Sequence, residues 1–183
     1  MEQNSSPLLK SSLTYGIYVA LISILLQVII WAGGLMESMG MFGSAILGIV
    51  SIIISFVVLF IFTKNYRNKE FGGYISFAEA FKFAMLVSIV STVILIIYTY
   101  IFHNFIAPDY LENLMASMQQ KTMEFMESRG VPEASIDQAL AQFEEVPSMA
   151  KTLRQSALSG LIGGAIISLI VAAIVKKKVE DSY

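Results

Sequence analysis

The sequence predicts an all-α integral membrane protein: four transmembrane helices, with an extracytoplasmic amphipathic helical hairpin between the third and the fourth. Three observations predict it. First, 56% of the 183 residues are hydrophobic and only 14% are charged, against about 25% in a soluble domain; the mean hydropathy is +0.69. Second, the stretches 13–35, 41–63, 83–106 and 156–175 contain no Asp, Glu, Lys or Arg. Each reaches the roughly 20 residues a helix needs to cross about 30 Å of hydrocarbon. Third, the charges gather between and beyond these stretches, and residues 107–155 form the one long polar segment. Membrane β-strands would instead show alternating polarity over about ten residues.

The same composition narrows the function. A net charge of −2 gives no basic excess for nucleic acid. The lack of cysteine excludes disulfides, thiolate nucleophiles and cysteine-held metals.

Residues 1–106 carry the N-terminal tail and spans one to three. Lys10 precedes the first apolar run as in a signal peptide. The run exceeds a secretory h-region of about 7–15 residues, and no A-x-A site follows it, so 13–35 reads as a retained span. Tyr15 and Tyr18 near one end and Trp31 near the other suit the two headgroup zones. A turn over 36–40 leads to the second span, 41–63. Gln27 places an amide inside the first span, and Ser23, Ser55, Ser88, Ser91 and Thr92 add hydroxyls. Such a scatter suits ordinary bundle packing, and the midplane lacks the ionisable groups of a conduction path.

A basic loop, 64–76, precedes the third helix, 77–106. Ser76-x-x-Glu79 has the spacing of a capping box, and Glu79 and Lys82, three apart, can pair on one face. A functional reading makes Ser76, Glu79 and Lys82 a proton or ligand site at the cytoplasmic mouth. The structural reading, a cap with a surface ion pair, outweighs it, because side chains at this depth reach water. His103, the single histidine, reads as interfacial and inert.

Residues 107–155 read as the hairpin. Asp109-x-x-Glu112 suggests a second capping box, and Gly130 a stop. Between them Leu111, Leu114, Met115, Met118, Phe125 and Met126 recur at helical spacing as a candidate interaction face. Pro132 starts a second helix with Ile136, Leu140 and Phe143 on its apolar side, ending near Pro147. A hairpin of about 40 residues is too small to be stable alone. It should dock on its own membrane domain, on the bilayer surface or on another protein. Met115, Met118, Met123, Met126 and Met149 offer soft thioether ligands for Cu(I), but a pliable apolar face is the simpler reading.

The last segment, 156–183, holds span four and a basic tail. Gly160-x-x-x-Gly164 and Ser159-x-x-x-Gly163 there, and Ser44-x-x-x-Gly48 in span two, have the spacing of close helix contacts. Packing within the chain is favoured over dimerisation. Neither a nucleophile–base pair, a phosphate loop nor a zinc-binding pair is evident, so no catalytic residue, cofactor or metal is expected. The protein should be non-enzymatic, with lipid as one partner and a second protein or its own copies as the others. The alternative is a subunit of a small oligomeric transporter or channel.

Orientation follows from the loops. Lys10, Lys64, Arg67, Lys69, Lys82, Lys176, Lys177 and Lys178 fall on one side. Lys121, Arg129, Lys151 and Arg154 fall on the other, outnumbered there by carboxylates. Both termini should therefore be cytoplasmic.

Taken in order, the stretch Gly-Gly-Tyr-Ile-Ser-Phe-Ala-Glu-Ala-Phe-Lys (residues 72–82) follows two spans and a basic loop. An acidic hairpin with Gly-Val-Pro-Glu (130–133) comes next, then a Gly-rich span ending in Ile-Val-Lys-Lys-Lys (174–178). This order resembles the uncharacterised membrane family catalogued as domain of unknown function 4199, found mainly in Bacteroidota, over essentially the whole chain. The resemblance implies a bacterial inner-membrane protein with segment 107–155 in the periplasm. It implies no activity, ligand or active-site residue.

Overall fold

The computed structural model describes residues 5–143 and 145–177; Lys178 lies outside them. Six α-helices follow one another: α1 (Ser5–Ala32), α2 (Leu35–Glu70), α3 (Phe77–Ile101), α4 (Tyr110–Ser128), α5 (Glu133–Leu140) and α6 (Met149–Val175). A π-helical turn, Phe102–Ile106, prolongs α3, and a 3-10 turn, Ala141–Phe143, follows α5. No strand forms among the described residues beyond one antiparallel bridge, Ile75 to Lys177. Among the described residues, four helical stretches are long and apolar enough to cross a membrane: Pro7–Ala32, Gly43–Glu70, Phe77–Ile106 and Met149–Val175.

The helices outrun the apolar stretches that announce them. The turn expected over 36–40 is made instead by Gly33 and Gly34, and α2 already starts at Leu35. Gly34 takes φ +58, a left-handed conformation that glycine adopts without a Cβ penalty. At its other end α2 continues through Lys64, Arg67 and Lys69 to Glu70, so most of the expected basic loop is helix. Lys and Arg are good helix formers, and their long stems let the charges reach water from a helix end. Likewise α6 begins at Met149, ahead of the apolar run at 156. The Ser148 hydroxyl caps it by accepting the Lys151 N–H at 3.3 Å. Two expectations for the hairpin are corrected. Asp109 stands at the N-cap of α4, but its side chain accepts no capping bond. The α-helix begun after Pro132 ends at Leu140, well short of Pro147.

Helix α3 is the centre of the bundle and packs most extensively on α6 and α1. Helix α2 leans on α1 and α6, and it also carries α4. The buried core lies at the basic end: Leu59, Tyr66, Ile75, Ala80, Phe83, Ala84, Val87, Val171, Ala172 and Val175. Tyr66 and Phe83 stack there with centroids 3.9 Å apart and rings 2° from parallel. Around the outside, Leu21, Leu25, Ile49, Ile53, Ile97, Ile162 and Ile166 stand exposed, the apolar surface that a bilayer would cover.

Candidate functional site

At the basic end the chain is fastened to itself. The Arg67 guanidinium donates through Nη1 to the Val175 carbonyl at 3.0 Å, holding the last turn of α6. Ile75 and Lys177 exchange both backbone bonds, each 3.0 Å. The Lys177 ammonium lies 5.2 Å from the centre of the Tyr74 ring. Gly72 and Gly73, at φ +59 and +96, let the chain reverse into this bridge. Ser76 then caps α3. Its hydroxyl accepts the Glu79 N–H at 3.3 Å, while Glu79 Oε2 accepts the Ser76 N–H at 3.1 Å and its O–H at 2.7 Å. With the carboxylate turned back on the cap, no ion pair joins Glu79 to Lys82 among the described residues. The geometry of residues 72–82 is that of a helix start fastened to the end of α6.

The two small-residue pairs separate in role. A Cβ on Gly160 would stand 2.7 Å from Thr92 Cγ2, and one on Gly164 2.9 Å from Ser88 Cβ. These glycines therefore set the close approach of α6 to α3, beside a Ser88–Ser168 hydroxyl contact of 3.3 Å. The contact offered by sequence for oligomerisation is already used within the chain. Gly48 is different: a Cβ there would meet nothing within 4 Å. Ser44 and Gly48 face a cavity.

That cavity, about 300 Å³, is bordered by α1, α2, the end of α3 and the start of α4. Gln27 and Trp31 come from α1, Ser44 and Ser51 from α2, and Tyr98, Thr99 and His103 from α3 and its π-turn. Helix α4 closes it with Tyr110, Leu111 and Leu114. The π-turn, sealed by the Ala107 N–H donating to the Phe102 carbonyl at 2.8 Å, shifts the register of the last turn, and such turns are frequent at functional sites. The His103 ring stacks on Tyr110 at 5.9 Å, and Trp31 meets Phe102 edge-on at 5.3 Å. His103 Nδ1 is buried without a hydrogen-bond partner among the described residues. The Tyr110 hydroxyl is held above its ordinary pKa by burial first, then by Glu37 and Tyr98. It therefore stays protonated and able to donate.

The chamber continues into two further cavities. One, about 200 Å³, runs between α1 and α2 past Gln27, Ser23, Ser51, Ser55 and Leu95. The next, about 250 Å³, reaches Ser88, Thr92 and Gly160 at the heart of the bundle. Separately, a groove of about 490 Å³ opens at the basic end beside Lys10, Tyr18 and Lys69.

The hairpin's stripe is divided. Leu111 and Leu114 face the chamber, and Met115, Met118 and Met126 are half-buried. Phe125 is 36% exposed, with the Arg129 guanidinium 5.2 Å from its ring centre. His103, read from sequence as interfacial and inert, lines the chamber with Gln27. Tyr98 and Tyr110 also belong there and were not singled out as site residues. The available signals were a histidine and a span-embedded amide, but nothing in the sequence pairs them.

No curated protein and no solved structure matches the chain. A family model does match residues 14–177, a region that takes in the spans, the hairpin, the chamber and the closing bridge at Lys177. By that match the chain belongs to the family described as Protein of unknown function (DUF4199).

Proposed function

We propose that this is a non-enzymatic, multi-pass binding protein of a bacterial inner membrane, whose hairpin docks on its own bundle and covers a ligand chamber. One observation carries the reading: Tyr110, Leu111 and Leu114 of α4 complete a chamber whose other walls hold Gln27, Tyr98 and His103. Its volume matches the lower end of small-molecule sites, and its mixture of apolar walls with a few polar groups is their usual make-up. Distribution of Lys and Arg supports cytoplasmic termini and a periplasmic hairpin. Since the chain has no cysteine, Asn68→Cys and Ser128→Cys can report this orientation: an impermeant thiol reagent on intact inner-membrane vesicles of known sidedness should label one and spare the other.

A second reading, in which the hairpin recruits a protein, is favoured by the outward Met123 and Phe125, 37% and 36% exposed. Photoreactive residues at Leu114 and at Met123 distinguish the two in native membranes. The chamber reading expects small-molecule adducts at Leu114 and none at Met123. A recurring protein adduct at Met123, with only internal crosslinks at Leu114, would overturn it in favour of the recruiter.

A further inference from the structure

We propose that the chamber and the cavities that continue it form one site for a single-chain amphiphile with an uncharged, hydrogen-bonding headgroup. The inference rests on the chamber being a binding site and names the class of its ligand. The three cavities share walls: Gln27 and Ser51 border the first two, and Val19, Ser23, Ser51, Ser55 and Leu95 border the second and third. Along α2 the lining extends from Ser44 to Leu59, a rise of about 22 Å at 1.5 Å per residue. That exceeds the half-thickness of the hydrocarbon core, about 15 Å, and suits an extended hydrocarbon chain.

Polarity is graded along this length. In the continuing cavities, which Ser23, Thr92 and Ser159 also line, four serines have their hydroxyl hydrogens engaged with their own helices. Ser51 donates to the Leu47 carbonyl and Ser55 to that of Ser51, each at 2.8 Å, while Ser88 donates to Ala84 and Ser91 to Ser88. Back-bonded serines offer a passing chain little beyond methylenes and an already solvated oxygen. In the chamber, by contrast, the buried His103 Nδ1 has no hydrogen-bond partner among the described residues, and the Gln27 amide stands at the exposed edge. A buried polar group without a partner is costly, so a headgroup that pairs with His103 Nδ1 recovers that cost, and the Gln27 amide can bond the same headgroup. None of the three cavities is lined by Asp, Glu, Lys or Arg. A charged head would lose its hydration there without a counter-charge, which selects an uncharged one. Entry is lateral, because Ile22 and Gln27, both exposed, line the cavity between α1 and α2.

The experiment uses the full chain in phosphatidylcholine nanodiscs with a monoacylglycerol bearing a diazirine in its acyl chain. A diazirine fatty acid and a diazirine phosphatidylcholine serve as comparisons. Adducts of the monoacylglycerol should concentrate on the lining of α1 and α2, around Ser23, Leu26, Ile54 and Val58, and unlabelled monoacylglycerol should compete them away. The variant Gln27→Leu with His103→Leu should lower this labelling about tenfold, as expected for the loss of one to two hydrogen bonds to the headgroup. Ser55→Leu, which fills the passage, should abolish it. Labelling spread over the outer residues Ile49, Ile53 and Ile97, as for phosphatidylcholine, overturns the proposal; so does equal lining labelling by the fatty acid. Competition in the unmodified chain decides the matter even if a variant fails to fold. Should the photoreactive residue at Leu114 capture a molecule without a hydrocarbon chain, the chamber reading stands while the amphiphile falls.

Discussion

The two ends of this bundle solve opposite problems. At the basic end, large side chains interlock and the loose chain termini of α2 and α6 are tied by backbone bonds. Tyr66 is stacked on Phe83, Ile75 is bridged to Lys177, and Arg67 holds the last carbonyl of α6. At the hairpin end, apolar walls with a few polar groups line a hollow, and a buried imidazole nitrogen lacks a partner among the described residues. In a bilayer, apolar burial alone gives helices no reason to associate, so packing and hydrogen bonds must hold them. The contrast teaches that one end supplies the cohesion that lets the other stay open.

Substitutions can break or sharpen this contrast. The largest effect is expected from Phe83→Ala, which removes a fully buried ring and its stacking partner's support. It should cost roughly 3 kcal/mol, the lower part of the range for buried Phe truncations, read as a fall in thermal stability in nanodiscs. Gly160→Val comes next, at about 2 kcal/mol, because the new Cβ meets Thr92 at 2.7–2.8 Å and forces α6 from α3. Arg67→Met keeps the apolar stem but loses the bond to Val175, for about 1.5 kcal/mol. Proteolysis near the C-terminal end of α6 should report it as local loosening. Gly48→Ala should have the smallest effect and the opposite sign. Its Cβ meets nothing, so the helix gains about 0.5 kcal/mol in propensity. A Gly48→Ala cost as large as that of Gly160→Val would erase the distinction between the tight α3–α6 seam and the open chamber wall.

Much of the fold was legible because a bilayer leaves few choices. Uncharged runs of helical length have to cross as helices, and Ser76 with Glu79 announced the start of α3 by spacing alone. Helix ends were less legible. Charged residues such as Lys64 and Arg154 look like loop, yet they continue helices whose ends can reach water. Gly33-Gly34 carried the turn signal, and the turn forms there rather than over 36–40, where Glu37 interrupts the apolar run. The chamber was hardest to see. Gln27, His103 and Tyr110 are far apart in sequence and converge only because α1, α3 and α4 meet around α2. Periodicity identified the stripe Leu111, Leu114, Met115 and Met118 but not what it would cover.

Hydrogen–deuterium exchange of the full chain in nanodiscs tests the asymmetry most directly. The amides of Ile75 and Lys177, although outside any helix, should exchange as slowly as the helical core of α3. The amides of α4, from Tyr110 to Ser128, should exchange much faster through local opening. Rapid exchange at Ile75 and Lys177, or protection of α4 equal to that of α3, would contradict it.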